Sequence, residues 1–104
     1  MIGSIKFEKM DEIKKEAELG YFLRKDYWGQ GLMTEVVREL VFLSFTKFDF
    51  KRLTIITHEE NIASQKVALK AGFKLFRQFK GSDRYTRKMR DYTEYRYEKG
   101  DFNE

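Results

Sequence analysis

The chain has 104 residues, 41% of them hydrophobic and 16% aromatic, and a formal net charge of +4. This length and composition are typical of one small globular domain, so we expect a single domain over residues 1–104. The absence of cysteine excludes a disulfide framework and a thiolate nucleophile, and with one histidine we expect no metal. No apolar run approaches the roughly 20 residues that cross a bilayer, and no signal-peptide pattern is present. We therefore expect a cytoplasmic protein without a membrane partner.

The hydrophobic pattern predicts a mixed α/β sheet with the element order β-β-α-β-α-β-β. The predicted strands are short, apolar or alternating runs, and they cover residues 2–7, 17–23, 53–57, 73–79 and 92–97. Apolar residues at three- and four-residue spacing predict helices over residues 32–48 and 61–71. The strand–helix–strand unit in the middle implies one parallel strand pair with a right-handed crossover, flanked by antiparallel hairpins. We expect a hairpin loop over residues 10–16 and a frayed tail after residue 99.

Residues 24–35 follow a strand, open a helix and include two closely spaced glycines, Gly29 and Gly31. Glycines let the backbone approach a ligand, and the first N–H groups of a helix attract anions, so the segment could bind a pyrophosphate. A tight turn without a ligand explains the same glycines equally well. The segment lacks the third glycine of the dinucleotide-binding fingerprint.

Four segments occur together in one order and spacing, namely AELGYFL (17–23), YWGQGLMTE (27–35), ENIAS (60–64) and AGF (71–73). This string resembles the ribosomal-protein-alanine N-acetyltransferase branch of the GNAT superfamily, over residues 17–73. The resemblance implies acetyl transfer from acetyl-CoA to a primary amine of a protein N-terminus or a small molecule. The family's domain usually opens with a strand, two helices and another strand, so we expect an N-terminally truncated version of that sheet. Cofactor binding is expected to survive this truncation, whereas the missing elements carry much of the acceptor-binding wall.

The resemblance also implies where the cofactor binds. Backbone amides of the glycine loop hold the pyrophosphate, and pantetheine lies in a splay between the parallel strands 17–23 and 53–57. The family pattern of that loop falls on Trp28, Gly31 and Met33, of which Gly31 alone agrees, so side-chain contacts are less certain than backbone contacts. The expected cofactor-binding residues are Tyr21, Phe22, Leu23, Trp28, Gly29, Gln30, Gly31, Leu32, Met33, Thr34 and Asn61.

The catalytic candidates are Ser64 and Glu18. By resemblance Ser64 lies near the thioester sulfur, and Ala68 stands where many members have a tyrosine general acid, so Ser64 is the candidate donor to the leaving thiolate. Glu18 is the candidate base or amine-positioning group, because the attacking amine must be neutral. An ordinary strand carboxylate explains Glu18 as well, and Asn61 is also a preferred helix N-cap. We expect His58 to be a solvated surface residue.

Two other functions remain open. The chain could be a non-catalytic module that binds coenzyme A, or a small RNA-binding domain that uses the basic residues Arg84, Arg87, Lys88 and Arg90. Charge clusters more often only solvate a loop, so a nucleic-acid partner is not expected. The first strand would form an open sheet edge, and such edges recruit partners, so we expect a homo-oligomer.

Overall fold

The computed structural model describes residues 3–23, 31–83 and 86–102. The chain begins with an antiparallel hairpin of β1 (Gly3–Asp11) and β2 (Glu16–Leu23). Its turn is held by Asp11, whose Oδ1 accepts hydrogen bonds from the backbone N–H groups of Ile13 and Lys14, both at 3.0 Å. The predicted loop is therefore shorter than expected and β1 longer, because the polar end of β1 pairs with β2 on an exposed sheet edge.

The predicted strand–helix–strand unit is present. It consists of β2, α1 (Leu32–Thr46) and β3 (Arg52–His58), and β2 runs parallel to β3. Helix α1 ends two residues before its predicted end, and Asp49 adopts a positive φ of 56° just beyond it. Helix α2 (Ile62–Lys70) follows β3 closely. Gly72 has a φ of 106°, in the left-handed region that commonly follows the end of a helix.

The last hairpin consists of β4 (Lys74–Ser82) and β5 (Met89–Glu98), and the sheet order is β1-β2-β3-β5-β4. β4 extends beyond its prediction at its C-terminal end and β5 at both ends, and charged residues inside both strands form ion pairs. Glu94 is 3% exposed and accepts hydrogen bonds from Arg77 Nε at 3.0 Å and Arg96 Nε at 2.8 Å. Burial acts to raise the pKa of Glu94, but these hydrogen bonds outweigh it and hold the pKa below its usual value.

The hydrophobic core lies between one face of the sheet and the two helices. Along β3 the buried residues alternate, so that Leu53 and Ile55 face the core. From the helices, Val37 and Ala68 are fully buried in the same cluster. Arg38 Nη2 of α1 donates to the Lys70 carbonyl of α2 at 2.7 Å, which holds the two helices together. The mixed sheet with both helices therefore agrees with the predicted fold class.

The C-terminal segment was expected to fray after residue 99, but it is folded through residue 102. A short 3-10 helix (Lys99–Asp101) follows β5, and the Phe102 ring lies 5.3 Å from that of Phe45 and 6.2 Å from that of Tyr97. An aromatic side chain in this polar tail thus extends the core. At the other side of the sheet, β1 is an edge strand, as predicted. The expected homo-oligomer stays a prediction.

Candidate functional site

The parallel strands separate at their carboxyl ends. Their pairing extends from Glu16↔Arg52 to Leu19↔Ile55, whereas β2 continues to Leu23 and β3 to His58. A cleft of about 550 Å³ opens at this point. It is lined by residues of all five strands and the start of α2, and its volume is in the range of small-molecule sites. The splay expected between strands 17–23 and 53–57 is thus present.

Backbone geometry leaves one edge of the end of β2 directed at this splay. The backbone of Phe22 and Leu23 pairs with Ser4 and Gly3 of β1 on the other edge. A strand has hydrogen-bonding groups on both edges, so the edge that β3 no longer pairs with can serve an extended ligand.

The start of α2 forms one wall of the cleft. Asn61 is the N-cap, and its Oδ1 accepts a hydrogen bond from the Ser64 backbone N–H at 3.1 Å. The expected capping role is therefore confirmed. It uses the amide oxygen, so that the NH₂ group of Asn61 remains a possible donor to a ligand. Asn61 and Ser64 both line the cleft.

Tyr21 joins the end of β2 to the start of α2. Its hydroxyl donates a hydrogen bond of 2.5 Å to the backbone carbonyl of Ser64. Burial raises the pKa of Tyr21 well above its usual value, so the phenol stays protonated as a donor. The family resemblance implied only a backbone role for Tyr21. Its alternation with Ala17 and Leu19, which are both buried, could have indicated that its side chain faces the helices.

The expected phosphate-binding segment is described from Gly31 onward, and Trp28, Gly29 and Gln30 lie outside the described residues. Gly31 is the N-cap of α1 with a φ of 74°, and within the described chain no side chain caps this helix. A Cβ added to Gly31 would meet no described atom within 4 Å. Among the described residues, nothing therefore crowds Gly31 at the N-terminus of α1, where backbone N–H groups suit an anionic ligand.

Two of the side chains at this helix start are buried. Met33 and Thr34 are 5% and 7% exposed and belong to the core side of α1, whereas Leu32 is 37% exposed. For Met33 and Thr34 the predicted binding role is therefore left to their backbone N–H groups.

Glu18 lies in the cleft, as its expected role requires. It is half-buried, immediately before the last β2–β3 pair at Leu19. Successive side chains of a strand point to opposite faces of the sheet. Ala17 and Leu19 face the helices, so Glu18 lies on the other face. The structure thus brings Glu18, Tyr21, Asn61 and Ser64 to one cleft, and their roles in catalysis and binding stay predictions.

The sequence analysis missed one pair of side chains at this cleft. His58 Nε2 lies 3.6 Å from Asp83 Oδ2, with side chains 37% and 11% exposed. The His58 ring also lies 4.9 Å from that of Tyr92, and its Nδ1 is buried without a hydrogen-bond partner among the described atoms. His58 is therefore not the freely solvated residue that was expected. Its place at the carboxyl end of a parallel strand was the signal that could have found it.

Comparison with known proteins identifies the family. The family model for an acetyltransferase (GNAT) domain matches residues 1–74. The chain belongs to the GNAT acetyltransferase family. It is 32% identical over 73 residues to the ribosomal-protein-serine acetyltransferase of Escherichia coli, which covers 70% of this chain and 40% of that relative.

Solved GNAT structures share the fold. The acetyltransferase RimL in complex with coenzyme A matches with a TM-score of 0.83 and 27% identity, over 92% of this chain and 54% of that one. The ribosomal-protein-alanine acetyltransferase of Vibrio fischeri matches with a TM-score of 0.88 and 20% identity, over 99% of this chain and 57% of that one. The GNAT chain described here thus spans well under two thirds of the length of these proteins.

The basic residues between β4 and β5, for which solvation was favoured over nucleic-acid binding, lie in or beside a short loop of this GNAT chain. Strand β4 extends to Ser82 and β5 begins at Met89, and Arg84 lies outside the described residues. Arg90 Nη2 pairs with Glu60 Oε1 at 2.9 Å, while Arg87 and Lys88 are exposed. This arrangement favours solvation over a dedicated nucleic-acid site.

The described residues contain neither a metal-ion cluster nor a membrane-spanning helix. Within residues 3–23, 31–83 and 86–102, no cluster of three histidine, cysteine, aspartate or glutamate residues is arranged to hold a metal ion. Over the same ranges no helix has the length and apolarity needed to cross a membrane.

Proposed function

We propose that this chain is the cofactor-binding part of an acetyl-CoA-dependent N-acetyltransferase that acts on a primary amine. The observation that supports this most is the separation of β2 from β3 beyond Leu19 and Ile55, with α1 and α2 starting after those strand ends. Ligands of α/β sheets bind at the carboxyl ends of parallel strands, where helix N-termini also offer N–H groups. Family membership and the coenzyme A complex of RimL agree with this proposal.

The residues present fit this cofactor. Backbone N–H groups from Gly31 to Thr34 would hold the pyrophosphate, since no described side chain caps α1 and a Cβ on Gly31 would meet no described atom within 4 Å. The free edge of β2 from Gly20 to Leu23 would hydrogen-bond the pantetheine amides like a neighbouring strand. Asn61 would donate its NH₂ group to the same arm. Acetyl-CoA supplies the activated acetyl thioester.

The chemistry requires two proton movements that residues of the cleft can perform. The amine nitrogen forms a bond to the acetyl carbon as the carbon–sulfur bond breaks, and the nitrogen loses a proton. Glu18 accepts that proton, and His58, held by Asp83, is a second candidate acceptor in the same cleft. The Ser64 hydroxyl passes its proton to the departing thiolate and regains a proton from solvent, while the proton that the base has taken from the amine is released to solvent.

The acceptor is a protein N-terminus or a small amine. The relative from Escherichia coli is named for the serine of a ribosomal protein, which supports the first class. The alternative is a module that binds coenzyme A without catalysis.

Isothermal titration calorimetry with acetyl-CoA tests the cofactor proposal. At a hundredfold excess over Kd, ligand binding should also raise the free energy of unfolding by about 2.7 kcal/mol. No heat and no thermal shift at millimolar acetyl-CoA would contradict it. Where binding is observed, release of free thiol with a panel of primary amines distinguishes an enzyme from a binding module.

A further inference from the structure

Strand β1 contains an irregularity that places Glu8 beside the cleft. Phe7 pairs with Leu19 and Lys9 pairs with Glu18, so Glu8 has no residue opposite it on β2. Such a bulge re-aims a side chain, and bulges are frequent next to active sites. Glu8 is accordingly among the residues that line the cleft.

Gly20 provides the space that this side chain occupies. A Cβ built on Gly20 would lie 2.5 Å from Cγ and 2.7 Å from Cδ of Glu8, which is closer than real contacts allow. Gly20 is not among the described glycines with a positive φ, so its backbone does not demand glycine. The close approach of Glu8 is the reason that the structure offers for a glycine here.

The Glu8 carboxylate is sheltered without being tightly paired. The residue as a whole is exposed because its backbone lies on the edge strand, but its side chain is 29% exposed. Its recorded ion pair is with Lys6, whose Nζ lies 3.9 Å from Oε1 and whose side chain is 72% exposed. An exposed pair at that distance is weak, and Lys9 at the same rim is a second competing cation. An incoming ammonium group can therefore displace Lys6.

The opposite part of the cleft is aromatic. Phe79 and Tyr92 stack with ring centroids 5.5 Å apart and an interplanar angle of 19°, and both line the cleft. Apolar rings take up the methylene groups of an alkylammonium ion, while a carboxylate takes up its charge.

We propose that Glu8 binds a second, non-reacting ammonium group of the acceptor, so that the acceptor class is an alkyl amine with two cationic nitrogens. This inference rests on the proposed function. Glu18 and His58 are the candidate acceptors of the proton that the attacking nitrogen loses, so the Glu8 carboxylate remains to stabilise a second nitrogen that stays protonated. Glu8 is thus suited to hold a nitrogen that does not react, which leaves the other nitrogen for Glu18 or His58 to deprotonate.

The test compares 1,4-diaminobutane with 1-aminobutane on the wild-type chain and on Glu8→Gln, both saturated with coenzyme A. Calorimetry should give a Kd at least about tenfold lower for the diamine with the wild type. Glu8→Gln should remove most of this preference and leave the Kd of acetyl-CoA unchanged. Where turnover occurs, the same loss should appear in KM of the diamine and not in kcat.

Two further variants make the test specific. Gly20→Ala displaces the flexible Glu8 side chain and should reproduce the Glu8→Gln effect, and the double variant should be no weaker than either single variant. Glu12→Gln removes the same charge from the exposed hairpin turn and should keep the preference. Thermal melts of Glu8→Gln establish that the variant is folded.

The outcomes separate this inference from the proposed function. If acetyl-CoA binds and wild type shows no preference for the diamine, or if Glu8→Gln retains it, the role of Glu8 is overturned. If acetyl-CoA does not bind to wild type, the proposed function itself fails, whatever the amines do.

Discussion

The hydroxyl of Tyr21 donates a 2.5 Å hydrogen bond to the backbone carbonyl of Ser64, and this bond connects the two elements that border the cleft. Asn61 Oδ1 accepts from the N–H of the same Ser64 residue. Side chains therefore hold both the backbone N–H and the backbone carbonyl of Ser64, and these two bonds fix the first turn of α2. The Ser64 side chain takes no part in either bond. This arrangement makes the position of Ser64 dependent on Tyr21.

Tyr21→Phe should destabilise the fold by about 1 kcal/mol, because it removes the hydrogen bond from the Tyr21 hydroxyl to the Ser64 carbonyl. Urea denaturation measures the change, and Tyr97→Phe, which removes a hydroxyl from a ring held by aromatic contacts, is the control. The pKa of Tyr21 is raised on folding, so its stabilisation is complete below the ordinary tyrosine pKa near 10 and is lost as pH rises above it. Above about pH 10 the wild type should lose stability more steeply than Tyr21→Phe. Equal slopes would show that Tyr21 is not the buried phenol.

The loss of stability at acid pH should depend in part on Glu94 and its two arginine partners. The pKa of Glu94 is lowered on folding, so its contribution is present above the unfolded pKa near 4.3 and is lost as pH falls through the folded value. Glu94→Gln should therefore flatten the decline of stability below about pH 4.3 and cost about 1–2 kcal/mol at pH 7. Glu39→Gln, on the exposed face of α1, is the control. An unchanged acid profile in Glu94→Gln would contradict the assignment.

Substitution of two glycines with positive φ distinguishes the stability cost of backbone strain from the cost of steric crowding. Gly72 has a φ of 106°, and a Cβ there would lie 2.7 Å from the Tyr97 ring, whereas Gly31 has a φ of 74° and open space around it. Gly31→Ala should cost roughly 1 kcal/mol of stability, from backbone strain alone. Gly72→Ala should cost roughly 2–3 kcal/mol, because the ring must also move. Chemical denaturation of both variants gives the comparison, and equal costs would mean that the ring yields freely.

Cofactor binding should depend on Gly31 through charge. Gly31→Asp places a carboxylate at the N-terminus of α1, where the pyrophosphate is expected, and should raise the Kd of acetyl-CoA at least about tenfold. Gly31→Ala should weaken binding less. Gly100→Asp adds the same charge at a position that is also open, in the C-terminal 3-10 helix. Calorimetry that shows equal affinity for Gly31→Asp and Gly100→Asp would place the phosphates elsewhere.

Much of the sheet was predictable because local sequence patterns indicate its strands and the helix between them. The β-branched run around Ile55 and the apolar periodicity of α1 are local patterns, and the crossover rule then fixes the parallel pair. The splay came from the family resemblance. The order of the last two strands was not predicted, because the antiparallel ladder that places β5 between β3 and β4 joins residues that are far apart in sequence. A single sequence does not show such long-range partners.

The backbone parts of the cleft were predicted, whereas the side-chain roles of Tyr21, Glu8 and His58 were missed. Asn61 could be identified because an N-cap is a local signal. Glu8 requires a bulge, and a single sequence does not show which residue is left unpaired in a ladder. His58 reaches Asp83 only because β3 and the end of β4 approach in three dimensions, across a long sequence separation.

The Ser64 hydroxyl can be tested without disturbing the helix start. The backbone bonds of Ser64 to Asn61 and Tyr21 remain in Ser64→Ala, so the variant removes only the hydroxyl. A thiol has a pKa near 8.5, so a donor near the sulfur lowers the barrier as negative charge develops. Where turnover is detected, Ser64→Ala should lower kcat by about 10- to 100-fold and leave the Kd of acetyl-CoA nearly unchanged, because the interaction strengthens only in the transition state.

Thr46→Ala removes a hydroxyl at the far end of α1 and should leave kcat as it is. Single-turnover kinetics must show that chemistry limits the rate, since slow product release would hide a change in the chemical step. Equal single-turnover rates for Ser64→Ala and wild type would exclude Ser64 as the donor. A solvent water would then be the remaining source of the proton, because Tyr21, which already donates to a carbonyl, would have to break the bond that holds α2 in place.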